Sequence, residues 1–228
     1  KMQVVFFYST NMVAEVNDKV TCVVSEPGRS LINPDQLRAG MAHRDPNDDV
    51  EISMVMSGEG KDTISRLRIK IGKNQFHLGY DLNGTDLMTK RMKAIPFKET
   101  PTYTMSGKEL FEFVRRGSFC IPHDGEGQNR FEMSGMRVLT TDAGYEAHAT
   151  DGHVCARIRI KNEAGPKQMD GVLIPQQALP PLAKLVRRED EIQVIEGSRN
   201  ATNQLLKLFF RIGTTTFFGT RLLEGKFP

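Results

Sequence analysis

Apolar and charged residues alternate one for one in Arg66-Leu67-Arg68-Ile69-Lys70-Ile71. That is the period of a strand with one face on a core and one in water. Arg157-Ile158-Arg159-Ile160 repeats the pattern, and Val50, Ile52, Met54 and Met56 alternate as well, with Val55 interrupting the outer face. Half-solvated strands of this kind belong to antiparallel sheets, because parallel sheets are covered on both faces. Elsewhere the apolar spacing becomes helical. Asn33 before Pro34 joins a preferred N-cap to a preferred first helical residue, and Leu37 and Met41 then share one face. Ser106-Gly107-Lys108-Glu109 is a capping box, followed by an apolar stripe of Leu110, Phe113 and Val114 against polar Lys108, Glu112, Arg115 and Arg116. Leu179, Leu182 and Val186 have helical spacing over Leu179 to Arg188, but Pro180 and Pro181 cannot sit inside an undistorted helix. That helix is expected to start at Pro180. The pattern predicts an α+β chain of antiparallel sheets with a few short helices.

The same elements recur. Ile32-Asn33-Pro34-Asp35-Gln36-Leu37, running on to Asp49-Val50-Glu51-Ile52, is echoed by Ile174-Pro175-Gln176-Gln177-Ala178-Leu179 and Glu191-Ile192-Gln193-Val194. Ile71-Gly72 with Phe76 is matched by Ile212-Gly213 with Phe217, and Thr10-Asn11 by Thr150-Asp151. The common order and a separation of about 141 positions indicate two copies of a whole domain, not a solenoid. The expected division is residues 1–101 and 102–228. The second copy has a helix and strands ahead of Thr150 that the first lacks ahead of Thr10, so the first is expected to be missing its N-terminal hairpin and helix.

Composition narrows the class. With 39% hydrophobic and 26% charged residues and no Trp, the chain is of ordinary globular make-up. No apolar run is long enough to span a bilayer and no signal-peptide pattern opens the sequence, so a cytoplasmic protein without a membrane partner is expected. Cys22, Cys120 and Cys155 are odd in number and far apart, which suggests neither a disulfide framework nor a thiolate zinc site.

The formal charge of +3 is too balanced to imply a nucleic-acid partner by itself. Its placement is more telling. The three helices carry Arg38 with His43 and Arg44, Lys108 with Arg115 and Arg116, and Lys184 with Arg187 and Arg188. One such face is ordinarily just solvated, whereas three on repeated domains could together meet phosphates. No aromatic interleaving for stacking bases is present, so sequence-neutral duplex contact is expected.

Other chemistries fit these residues less well. Cys155 with His153 could form a thiol nucleophile and base, although no orienting acid is evident, and an isolated Cys is more often a small hydrophobe. The spacing of His148, Asp151 and His153 matches no zinc pattern. Gly125-Glu126-Gly127 lacks the helix and Lys-Ser/Thr of a phosphate loop and reads as a turn. No metal and no cofactor are expected.

Gly144-Tyr145-Glu146-Ala147-His148-Ala149-Thr150-Asp151-Gly152-His153 resembles the "ATDGH" signature in the middle domain of the bacterial β sliding clamp, the β subunit of DNA polymerase III. Val172-Leu173-Ile174-Pro175 with Ala178-Leu179, and the closing Leu222-Leu223-Glu224-Gly225-Lys226-Phe227-Pro228, are similar to that domain's "viP..aL" and "L.eGkFP" segments. The resemblance covers 102–228 throughout. Residues 1–101 resemble the first clamp domain without its start, and by the same resemblance a third domain is expected to be missing from this sequence.

The resemblance implies a non-catalytic processivity factor: a homodimeric ring of repeated domains around duplex DNA, with helices lining the hole and sheets outside. The implied partners are duplex DNA without sequence preference, the DNA polymerase III catalytic subunit, the clamp loader and other proteins carrying a short hydrophobic clamp-binding motif. It further implies a peptide pocket whose wall in this chain is Met133, Thr150, Gly152, His153, Val154, Cys155 and Pro228. Val154 and Cys155 stand where the family usually has Arg and Leu. The loop from His123 to Arg130 matches one that touches DNA in the family, which adds Gln128, Asn129 and Arg130 to the helix cations. Two alternatives stand beside this: a thiol-dependent hydrolase using Cys155 and His153, and a peptide-binding domain that forms no ring.

Overall fold

The structure is a computed structural model that describes residues 2–10, 13–26, 28–42, 45, 47–57, 64–81, 100–122, 133–161, 171–225 and 227–228. It divides into two compact units, residues 24–94 and residues 1–23 with 95–228.

In the smaller unit, β3 (Leu31–Ile32), β6 (Asn74–Asp81), β5 (Ile64–Ile71) and β4 (Val50–Ser57) form an antiparallel sheet in that order. On β5 the alternation read from the sequence is the observed one, with Leu67, Ile69 and Ile71 buried together with Leu78, whereas on β4 the alternating Val50, Ile52, Met54 and Met56 are all exposed. Helix α1 (Pro34–Gly40) is capped by Asn33, whose side chain accepts from the Asp35 and Gln36 amides. Its Leu37, with Met41 just beyond its end, packs against that cluster.

The larger unit has two sheets. One runs β10 (Cys155–Lys161), β9 (Gly144–Thr150), β8 (Gly135–Thr141), β11 (Val172–Pro175). The other has six strands, β1 (Met2–Thr10), β2 (Ala14–Val23), β14 (Thr216–Arg221), β13 (Lys207–Ile212), β12 (Glu191–Glu196) and β7 (Tyr103–Ser106). Helices α2 (Gly107–Gly117) and α3 (Leu179–Leu185) lie in the same unit and touch each other. Leu110, Phe113, Leu179 and Leu182 join Met136, Ala147, Ile192 and Phe210 in one continuous buried core.

The internal repeat is visible in the elements. β3, α1 and β4 correspond to β11, α3 and β12, and the hairpin β5–β6 corresponds to β13–β14. Both hairpins turn at the glycine that follows the matched Ile, Gly72 with φ +55° and Gly213 with φ +60°. There a side chain would be strained, which gives the Ile-Gly match its physical reason. The first turn has two residues and the second three, since Ile71 pairs with Asn74 but Ile212 with Thr216.

Two features differ from the sequence expectation. Residues 1–23 do not group with residues 24–94, because β2 pairs with β14 through Ala14↔Thr220 to Asn17↔Phe217 and extends the later copy's sheet. Helix α3 begins at Leu179, with both prolines in its first turn, and ends at Leu185; Val186 is already extended at φ −92°, ψ 130°. Arg187 and Arg188 therefore follow the helix instead of lying on its face. The N-terminus of α2 holds that segment, since the Gly107 amide donates to the Asp190 carbonyl at 2.7 Å and the Lys108 amide to the Arg188 carbonyl at 3.2 Å. A Cβ on Gly107 would lie 1.8 Å from the Arg187 carbonyl oxygen, so only glycine fits there.

Candidate functional site

The loop joining β9 to β10 carries most of the expected pocket wall. Thr150 and Cys155 are paired across the hairpin, which brings Gly152, His153 and Val154 to its exposed tip. A closed set of hydrogen bonds fixes the tip. The Asp151 carboxylate accepts from the His153 and Val154 amides, each at 2.8 Å. Thr150 Oγ1 donates to the Val154 carbonyl at 2.7 Å and accepts from the Gly152 amide at 3.0 Å. Gly152 adopts φ +92°, where a Cβ is disfavoured. The two amide donors, Val154 first, hold the Asp151 carboxyl below the usual carboxylate range. Asp151, whose carboxylate takes both amides, is the centre of this loop.

What the loop offers a ligand is apolar. Val154 is 50% exposed and Cys155 is exposed, whereas Met133 is buried at 4% and presents little surface. The Cys155 thiol lies 3.9 Å from the Ala156 carbonyl oxygen. Pro228 is exposed, and the preceding Phe227 sets its ring 6.2 Å from that of His148 on β9. The chain's last residues thus lie beside the strand that leads into the loop.

Beneath His148 is a cluster the sequence did not reveal. Glu146, 5% exposed, accepts two hydrogen bonds from Arg157 at 2.8 and 2.9 Å, one from Arg159 at 2.7 Å, and lies 3.0 Å from His148 Nε2. These bonds, those of Arg157 foremost, bring the Glu146 pKa down to about 2. The signal was present only as Glu146, His148, Arg157 and Arg159, whose meeting depends on the β9–β10 register. A second hidden pair, Lys207 with Glu15, joins β13 to β2 across Gly219 on β14. A side chain on Gly219 would obstruct it, since a Cβ would approach Glu15 Oε1 to 2.8 Å.

The expected DNA-facing residues divide by setting. Arg115 and Arg116 lie in the last turn of α2, more than half exposed, and both donate to Glu112, at 3.0 and 2.6 Å. Lys184 ends α3. Arg188 places its guanidinium 5.3 Å from the Phe111 ring centroid, the range of a cation–π contact, and the Arg187 amide donates to Asp190. Arg38 belongs to the other unit, on α1, where it pairs with Asp35 at 3.2 Å. Gln128, Asn129 and Arg130, like His43 and Arg44, lie outside the described residues. Among the described residues no three His, Cys, Asp or Glu side chains are grouped to hold a metal ion, and no helix is long and apolar enough to cross a membrane.

Comparison with solved structures gives the class. The fold is that of DNA sliding clamps. A DNA polymerase III subunit beta from Pseudomonas aeruginosa is similar over 100% of this chain and 57% of its own, at 21% identity and a TM-score of 0.71. A sliding clamp from the same organism, bound to griselimycin, is similar over 99% of this chain and 55% of its own, at 20% identity and 0.70. A Bartonella birtlesii clamp bound to griselimycin is similar over 99% and 55%, at 18% identity and 0.69. The chain therefore spans a little over half the length of these relatives. No curated protein matches it. Residues 104–228, more than half of the chain, match the family described as DNA polymerase III beta subunit, central domain. The chain belongs to the DNA polymerase III beta subunit family.

Proposed function

We propose that the protein of which this chain forms part is a DNA polymerase processivity clamp, non-catalytic and cytoplasmic, that encloses duplex DNA and tethers its partners by topology. Tethering keeps a polymerase at high effective concentration beside the primer end without tight binding to DNA. The observation that carries the reading is the family match over residues 104–228. In this reading residues 1–101 and 102–228 are successive clamp domains, the hairpin β1–β2 being the arm of the first that joins the sheet of the second. The partners are the DNA polymerase III catalytic subunit, the clamp loader and other proteins with a clamp-binding motif, and the full-length chain is a homodimer.

The peptide wall is Thr150, Gly152, His153, Val154, Cys155 and Pro228, with Met133 behind it. An exposed Val154 beside Cys155 can cover Leu and Phe anchors, and a loop already fixed by its own hydrogen bonds loses little freedom when it binds. Duplex DNA is met through phosphate, by Arg38, Arg115, Arg116, Lys184, Arg187, Arg188 and the loop residues Gln128, Asn129 and Arg130.

The test is titration of a labelled peptide with Leu and Phe anchors against the wild type and His153→Ala. Saturable binding, weakened in the variant, is expected. No binding by the full-length protein would remove the pocket assignment.

A further inference from the structure

Glu112 lies among the cations assigned to DNA, where a carboxylate works against phosphate binding. It is a single acceptor for two of them: Oε2 takes Arg115 Nη2 at 3.0 Å and Arg116 Nε at 2.6 Å. Its own side chain is only 24% exposed, against 56% and 58% for the two arginines. Both donors hold its carboxyl below the usual range, Arg115 first. The spacing is i,i+3 and i,i+4 with the acid on the N-terminal side, the orientation that suits a helix. The arrangement recurs on α1, where Asp35 holds Arg38 at i,i+3. Lys184 and Arg187 have no carboxylate partner for their side chains among the described residues.

We infer that Glu112 is an internal competitor for DNA phosphate, which holds Arg115 and Arg116 in the absence of DNA and must yield them when a phosphate approaches. The inference rests on the DNA reading proposed above and refines it. Exposed ion pairs are weak, so the exchange is reversible and adds no large barrier. Its effect is on affinity: each arginine that reaches phosphate first gives up a carboxylate, so fewer counterions' worth of attraction is realised than the count of cations suggests. A helix built this way contacts the duplex loosely, as a protein that must slide along it requires. Lys184 and Arg187 keep their full attraction, and a graded set of strong and attenuated contacts results.

The experiment is fluorescence anisotropy of a labelled blunt duplex, titrated with the 228-residue chain over a series of potassium chloride concentrations. The variants are Glu112→Gln, Glu112→Ala and the double change Arg115→Ala with Arg116→Ala. Asp142→Asn, in the exposed turn between β8 and β9, removes the same charge away from the helices. Thermal melts establish that each variant is folded, and Glu112→Ala serves if Glu112→Gln is not. The expected result is that neutralising Glu112 tightens binding on the order of tenfold near 0.1 M salt and steepens the salt dependence by about one to two units of slope. Asp142→Asn should change little. If the double arginine variant binds DNA as the wild type does, the DNA assignment of α2 is wrong. If the double variant weakens binding but the Glu112 variants bind no tighter than Asp142→Asn, the DNA assignment survives and the role of Glu112 is overturned.

Discussion

Glu146 accepts hydrogen bonds from Arg157 and Arg159 and lies against His148 while being almost out of reach of water. Its pKa in the fold is about 2, against 4.5 for a free side chain. The stability it contributes is therefore present above about pH 4.5 and is lost as the pH falls from there towards 2. Glu146→Gln should lower stability at neutral pH by on the order of 2 kcal/mol, since charge-assisted bonds are replaced by weaker ones. The variant's melting temperature should also respond less to acid between pH 5 and about 3 than the wild type's. Equal acid sensitivity in the two proteins would count against this account of the cluster. Asp151 acts differently, by shaping a loop. Asp151→Ala frees the His153 and Val154 amides, so faster hydrogen exchange at both is expected, with roughly tenfold weaker peptide binding. Asp151→Asn keeps an acceptor and should restore most of the affinity. Similar losses in both variants would contradict a positioning role.

At the scale of elements, the capping box on α2 is complete, with the Ser106 hydroxyl accepting from the Glu109 amide at 3.2 Å and the Glu109 carboxylate accepting from the Ser106 amide at 2.6 Å. Ser106→Ala should cost about 1 kcal/mol, read from chemical denaturation. This helix, the Asn33 cap and the alternating strands β5 and β10 were legible in the sequence because each depends on residues three or four positions apart, or on a period of two. The loop of Thr150 to Cys155 was singled out by its resemblance to the ATDGH signature; the hydrogen bonds that fix it are local but were not read from the sequence. What was not legible depends on pairing between distant segments. Nothing near Ala14 to Asn17 announces that β14 is its neighbour. Glu15 meets Lys207 only because Gly219 leaves room between them. The Glu146 cluster likewise exists only in one register of β9 against β10, since a shift of one residue would turn Arg157 and Arg159 to the other face. The end of α3 was misjudged because Val186 continues the apolar spacing but is extended and still buried.

For the molecule as a whole, the larger unit is unified by a sheet in which β1 and β2 complete what β14 begins, over a core that both of its helices share. The hairpin β9–β10 has an apolar side on that core and a polar side facing away, as in Ala147 and Ile158 against Glu146 and Arg157. On the proposed reading a clamp acts through closure, so its central property is tested on a full-length protein, the solved relatives being nearly twice as long as this chain. The direct measurement is retention of that protein, after loading, on nicked circular DNA and on the same DNA cut once. Long residence on the circle with rapid loss on linearisation is the predicted result. Equal retention on both forms would contradict a clamp that holds DNA by enclosing it.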